Sequence, residues 1–148
     1  MRAPWLFILF AACQSANAPA GGKLELVDAP KTADVAPYVA RELARANADH
    51  KQLLVYVGAS WCEPCTHFHE AAAKGELDAT FPTLRLLVFD DDRDHEALAR
   101  AGYESQLIPL FVVPAADGRA TGRHIEGSVK GTAAVGEITP RLRALLDN

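Results

Sequence analysis

The chain has 148 residues, which fits one domain with an interior of its own. Hydrophobic residues make up 49% and charged residues 23%, ordinary values for a globular domain. The formal net charge is −4, with 15 Lys and Arg against 19 Asp and Glu, so the basic excess of a nucleic-acid-binding surface is absent and no nucleic-acid partner is expected.

Residues 1–18 have the pattern of an export signal. One basic residue, Arg2, precedes an apolar run at 5–12 that is far too short to span a bilayer. The run "LFAAC" resembles the lipobox of bacterial lipoproteins, which predicts cleavage before Cys13 and a lipid anchor on that cysteine. The alternative is a plain secretory signal cut after Ala18. Either cleavage predicts an exported protein on the periplasmic side of the cell envelope.

The next part of the chain predicts a linker and the start of a folded domain. Residues 19–33 are expected to form a linker with one short strand at Leu24–Val27, and the domain is expected to cover 34–148. Asp34 is predicted to cap a helix whose apolar stripe consists of Val35, Val39, Leu43 and Ala46. The nearly continuous apolar run "QLLVYVG" then predicts a central strand that is buried on both faces.

The remaining elements alternate until a final hairpin. A helix is expected from Cys62 to about Gly75, followed by the strand "TLRLLVFD" and a helix capped by Asp92 or Asp94. The strand "IPLFVVP", a turn at Asp117-Gly118, the strand "RHIEGS" and a helix from about Thr132 to Leu146 complete the series. This order predicts an α/β fold with a mixed central sheet and helices on both faces.

The two cysteines of "SWCEPCTHF" are candidates for redox chemistry. If Cys13 belongs to the leader, only Cys62 and Cys65 remain in the domain. A helix that starts at Cys62 directs unpaired N–H groups and its dipole at that sulfur, which lowers the pKa of the thiol. Pro64 is harmless in a first helical turn, and Cys65 follows one turn on, close enough to form a disulfide. An exposed attacking Cys62 with Cys65 behind it suits dithiol exchange.

The sequence resembles the thioredoxin superfamily over about Asp34 to Asp147. The resemblance is carried by "WCEPC" after a buried strand and by "LIPLFVV" further on. The residues on family positions are Trp61, Cys62, Pro64, Cys65, Pro109 and Gly127. The resemblance implies a thioredoxin fold and a thiol–disulfide oxidoreductase, in which Cys62 attacks, Cys65 resolves the mixed disulfide and reduction is the net direction.

The same resemblance implies what the protein works with. The Cys62–Cys65 disulfide is the redox group, and no cofactor is expected. The partners would be disulfide-bearing envelope proteins and an unidentified membrane electron donor, with the membrane contacted through the anchor at Cys13. A monomer is expected.

Other residues are expected to tune the site or to contact substrate. The Ile108–Pro109 bond is expected to be cis and to lie against the cysteines, and Ile108 would offer backbone groups to a substrate strand. Trp61 is expected to form an apolar rim, and Glu63 to raise the pKa of the Cys62 thiol slightly. Tyr56 stands where thioredoxins have a buried Asp. Because a phenol is a poor base at neutral pH, the proton relay must use water, Glu63 or a histidine.

Two alternatives remain open. Cys62, Cys65 and His69 share one stripe of the predicted helix, and three such ligands would suit a copper chaperone. The motif is only half of a structural zinc pattern, so no metal is the favoured prediction and a tuning role is expected for His69. The second alternative is an interaction module with a redox-inactive cysteine pair.

Overall fold

A computed structural model describes residues 22–32 and 34–147 of the protein. The elements are β1 (Glu25–Asp28), α1 (Val35–Ala48), β2 (Gln52–Gly58), α2 (Glu63–Ala73), β3 (Leu84–Asp90), α3 (Asp91–Arg100), β4 (Leu110–Pro114), β5 (Ala120–Glu126) and α4 (Ala133–Asp147). The expected leader, including Cys13, lies outside the described residues. Within those ranges, no helix has the length and apolar character needed to cross a membrane.

The five strands form one mixed sheet in the order β1-β3-β2-β4-β5. β1, β3 and β2 are parallel, whereas β4 is antiparallel to both β2 and β5. The α/β class and the mixed sheet predicted from the sequence are confirmed. The strand expected within the linker is an edge strand of this sheet, so the folded unit begins before residue 34.

Helices cover both faces of the sheet because β2 is apolar on both faces. Leu54 and Tyr56 point into a core shared with α2 and α4. Val55 and Val57 point into a second core shared with α1 and α3. The alternation follows from the two-residue period of a strand, and it places α2 directly over Tyr56.

Two predicted helix caps differ from the structure. Asp34 occupies the N-cap position of α1, but its side chain makes no capping hydrogen bond. Its own N–H instead donates to Thr32 Oγ1 at 3.2 Å. Asp90, not Asp92 or Asp94, caps α3, because its side chain accepts a hydrogen bond from the Arg93 N–H at 2.9 Å. β3 therefore passes into α3 without a loop.

Candidate functional site

The redox pair lies where β2 gives way to α2. Cys62 is the N-cap residue of α2, and its sulfur accepts a hydrogen bond from the Cys65 N–H at 3.3 Å. Pro64 stands in the first turn, where a missing N–H costs nothing. Cys62 and Cys65 form a disulfide with a Cα–Cα distance of 5.2 Å. The structure thus shows the oxidised form of a pair at a helix N-terminus.

Cys62 is not an exposed sulfur in this oxidised form, contrary to the sequence expectation. Cys62 and Cys65 are only 4% and 3% exposed. They pack with Ala59 in a small apolar cluster that the half-buried Ile108 covers from the side.

Pro109 is held at the same end of the sheet as the disulfide. The Ile108–Pro109 peptide bond is cis. β4 begins directly after it and runs antiparallel to β2, so Leu110 pairs with Val57, next to the site. The Pro109 carbonyl accepts a hydrogen bond from the Gly127 N–H at 2.9 Å. Gly127 has φ +63°, a conformation in which glycine is the favoured residue.

Exposed apolar side chains stand close in sequence to Cys62, Pro109 and Gly127. The described residues include three exposed large hydrophobic side chains, Trp61 at 65%, Leu107 at 57% and Val129 at 49%. Trp61 precedes the first cysteine, and its indole N–H donates to Asp92 Oδ2 at 2.9 Å, which fixes the ring. Sequence reasoning identified Trp61 but missed Leu107 and Val129. In the sequence, Leu107 and Val129 stand out only because each lies two positions from Pro109 or Gly127. That pattern is too weak to predict their exposure before the fold is known.

Tyr56 lies under the second cysteine and acts as a structural hydrogen-bond donor. Its hydroxyl donates to the Cys65 carbonyl at 3.1 Å. The ring stacks on Phe111 at 4.7 Å between centroids and meets the edge of Phe68 at 5.8 Å. Burial raises the pKa of the Tyr56 phenol well above its ordinary value. The phenol therefore stays protonated at neutral pH and cannot accept the proton of Cys65.

A cavity of about 560 Å³ lies behind the disulfide. It opens between α2 and the C-terminal ends of β1, β2 and β3. The side chains and backbone that line it include Cys65, Tyr56, His69, Glu70, Asp28, Asp90 and Arg93. Carboxyl ends of parallel strands are the usual place for ligands and reactive groups in α/β folds. Cys65, and not Cys62, faces this space.

Two residues of the acidic run "DDDRD", Asp90 and Arg93, line the cavity. Arg93 binds the buried Asp94 through contacts of 2.6 and 2.9 Å, and it also donates to the Ala29 carbonyl at 2.8 Å. Asp94 accepts a further hydrogen bond from the Asp90 N–H at 3.2 Å. The hydrogen bonds of this run therefore connect the end of β1, the end of β3 and the start of α3.

The two histidines of α2 have different surroundings. His67 is 3.9 Å from Glu63, which is exposed in the first turn. His69 lines the cavity together with Cys65. Among the described residues, no group of three His, Cys, Asp or Glu side chains is arranged to hold a metal ion.

Comparison with protein-family models and with curated proteins finds no match. Among solved structures, a mutant thioredoxin h of poplar is 25% identical, covering 87% of this chain and 87% of that chain with a TM-score of 0.50. Wild-type poplar thioredoxin h is 22% identical over 86% of this chain and 99% of that one, with a TM-score of 0.49. A mutant thioredoxin from Halobacterium salinarum NRC-1 is 16% identical over 88% and 93%, also at 0.49. The chain is thus similar to a thioredoxin over most of its length.

Proposed function

We propose that this chain, which has a fold similar to that of thioredoxins and a Cys62–Cys65 disulfide, is a thiol–disulfide oxidoreductase of the bacterial cell envelope. It would reduce disulfides in other exported proteins with its Cys62–Cys65 dithiol. The observation that supports this most strongly is the disulfide at the N-terminus of α2, where Cys62 caps the helix.

The chemistry follows from the position of each sulfur. In the reduced protein the Cys62 thiolate attacks a substrate disulfide, one substrate sulfur leaves as a thiolate, and a mixed disulfide forms. Cys65 then attacks Cys62, which releases the second substrate thiolate and restores the Cys62–Cys65 disulfide. The substrate gains two electrons and the pair loses two. The helix N-terminus favours the Cys62 thiolate, and Glu63 moderates this effect.

Substrate docking would use the apolar rim of Trp61, Leu107 and Val129. These side chains are exposed, whereas Cys62 and Cys65 are buried, and so they suit an apolar segment that carries a disulfide. Ile108 would pair its backbone with an extended substrate strand in the manner of β-augmentation.

The envelope location rests on the leader alone. Lipidation at Cys13 would tether a monomer to a membrane, where a membrane electron donor could reduce it again. Mass spectrometry of the mature N-terminus tests this. We expect a lipid-modified Cys13 at the first position, and a product that begins only at Pro19 would exclude the anchor.

The exchange function is tested by trapping. Cys65→Ser keeps the attacking sulfur and removes the resolving one, so mixed disulfides with envelope proteins should accumulate in cells that produce the full chain. They should vanish on reduction and be absent from a Cys62→Ser, Cys65→Ser double variant. Equal recovery of partners from the double variant would support a redox-inactive interaction module instead.

A further inference from the structure

The resolving step requires a group that accepts the proton of Cys65. Cys65 is 3% exposed, so bulk water does not reach it freely from the side of the rim. Its thiol must lose a proton before it attacks, because the thiolate is the nucleophile in disulfide exchange. In the oxidised form the Cys65 sulfur is bonded to the Cys62 sulfur, and Cys65, unlike Cys62, lines the cavity. The acceptor therefore has to act through the cavity behind Cys65.

The groups around Cys65 differ in their ability to take that proton. Tyr56 is excluded, because its hydroxyl donates to the Cys65 carbonyl and burial raises the pKa of the phenol. Glu63 is exposed on the helix start, near His67, and does not line the cavity. Glu70 lines it but pairs with Lys74 at 3.3 Å on the exposed side of α2.

The acidic and basic groups contributed by the strands and α3 are largely committed to other contacts. Asp90 caps α3 through the Arg93 N–H, and Arg93 is bound to Asp94 and to the Ala29 carbonyl. Asp28 is an exposed residue at the end of the edge strand β1. These groups complete the set that faces the cavity, and together with Glu70 they supply three carboxylates against one guanidinium.

His69 meets the remaining requirements. It follows Cys65 by four residues, so both lie on one face of α2, and both line the cavity. No hydrogen bond or ion pair engages its ring within the described part of the chain. Imidazole is also the side chain that ordinarily changes charge between pH 5 and 8. A space of about 560 Å³ has room for several water molecules between the two groups.

We infer that His69 is the proton acceptor for Cys65 in the resolving step, acting through water in the cavity behind the disulfide. This inference rests on the proposed exchange function. The Cys65 proton passes to the His69 imidazole, and the Cys65 thiolate attacks the Cys62 sulfur of the mixed disulfide. The bond from Cys62 to the substrate sulfur breaks, and the substrate leaves as a thiolate. The imidazolium then returns its proton to solvent.

The two chemical steps can be separated with an aromatic disulfide reagent that releases one coloured thiolate per step. The reaction uses the reduced full chain in a Cys13→Ser background, so that only Cys62 and Cys65 react. Attack by Cys62 is bimolecular, and its rate rises with reagent concentration. Resolution by Cys65 is unimolecular and gives a second phase that does not depend on that concentration. If the first phase is missing, the exchange function itself fails, which is a different outcome from a failure at His69.

His69→Gln should slow the second phase by about 10²-fold at pH 7, the range of general-base catalysis, and leave the first phase intact. In the wild type the rate of the second phase should rise between pH 5 and 8, and this rise should be absent in His69→Gln. His67→Gln, on the other side of the same helix, should behave as the wild type. In His69→Ala, added imidazole should restore the second phase, which a purely structural role would not allow.

A second phase in His69→Gln with the rate and pH profile of the wild type would overturn the inference. The inference would also be wrong if Glu70→Gln or Asp28→Asn, and not His69→Gln, slowed the second phase, because the acceptor would then be a carboxylate. Failure of imidazole to restore His69→Ala, with the variant folded and its first phase normal, would also count against it.

Discussion

The two ends of the parallel strands differ in whether every titratable side chain that lines them is paired. At the end where β1, β2 and β3 begin, Arg85 binds Glu25 at 2.7 Å and Asp49 at 2.8 Å, and Lys51 binds Glu25 at 2.9 Å. At the end where these strands finish, Arg93 binds Asp94 at 2.6 Å, but the cavity behind Cys65 also holds an imidazole, His69, that no hydrogen bond or ion pair engages among the described residues.

The difference shows that paired charges stabilise the fold, whereas a titratable group without a fixed partner is able to transfer protons. Charged groups held by several partners are fixed in one ionisation state, so they strengthen the fold but cannot pass protons. Groups that face a cavity and lack fixed partners can change their charge at little structural cost. We therefore expect substitution of a side chain held by fixed partners to change stability, whereas substitution of His69 should change exchange.

Arg85→Met should give the largest effect on stability. The side chain is 13% exposed, and the substitution keeps its apolar stem while removing hydrogen bonds to Glu25 and Asp49. We expect a loss of about 2 kcal/mol in the free energy of unfolding, measured by denaturant titration. Lys74→Met breaks an exposed pair and should cost less than about 1 kcal/mol. If Arg85→Met lowered the exchange rate as well as the stability, the contrast between the two ends would be wrong.

Tyr56→Phe should have a smaller effect and sharpen the comparison from the cavity side. It removes the hydrogen bond to the Cys65 carbonyl and keeps the ring against Phe68 and Phe111. We expect a loss of about 1 kcal/mol in stability with both phases of the exchange reaction retained. Loss of the second phase in this variant would mean that the phenol takes part in proton transfer, contrary to the role assigned here.

Glu63→Gln should shift the reactivity of Cys62 slightly. Removing a carboxylate from the first turn of α2 favours the thiolate at the same helix end, so the pKa of Cys62 should fall by less than about one unit. The rate of alkylation against pH measures this shift in the reduced protein. Glu76→Gln, beyond the far end of α2, is the control and should leave the profile unchanged. A profile for Glu63→Gln that moves to higher pH would contradict the electrostatic argument.

Glu25→Gln should produce the smallest effect, confined to acid. Burial by itself raises the pKa of Glu25, but the hydrogen bonds from Lys51 and Arg85 outweigh it, so the pKa in the folded protein lies below the ordinary value of 4.5. The stability from this carboxylate is therefore present above pH 4.5 and is lost as the pH falls through the folded-state pKa. Denaturation curves of Glu25→Gln should show a shallower loss of stability below that pH than the wild type. An equally steep loss would mean that other carboxylates dominate acid unfolding.

Particular residues show what the sequence could predict and what it could not. The run "QLLVYVG" and the cysteine spacing predicted β2, α2 and the redox pair, because periodicity and helix starts are local properties. The cavity was not predictable, because Asp28, Asp90 and His69 come from three elements that only the strand order brings together. The cap at Asp90 was missed because several aspartates in one run offer equivalent local signals.

The most direct test of the central claim is the reduction of insulin by dithiothreitol, followed by turbidity with the wild-type protein and with Cys62→Ser. The account predicts that the wild type accelerates precipitation well above dithiothreitol alone and that Cys62→Ser does not. A Cys62→Ser variant that is as fast as the wild type, or a wild type no faster than dithiothreitol alone, would contradict the assignment of Cys62 as the attacking sulfur of a thiol–disulfide oxidoreductase.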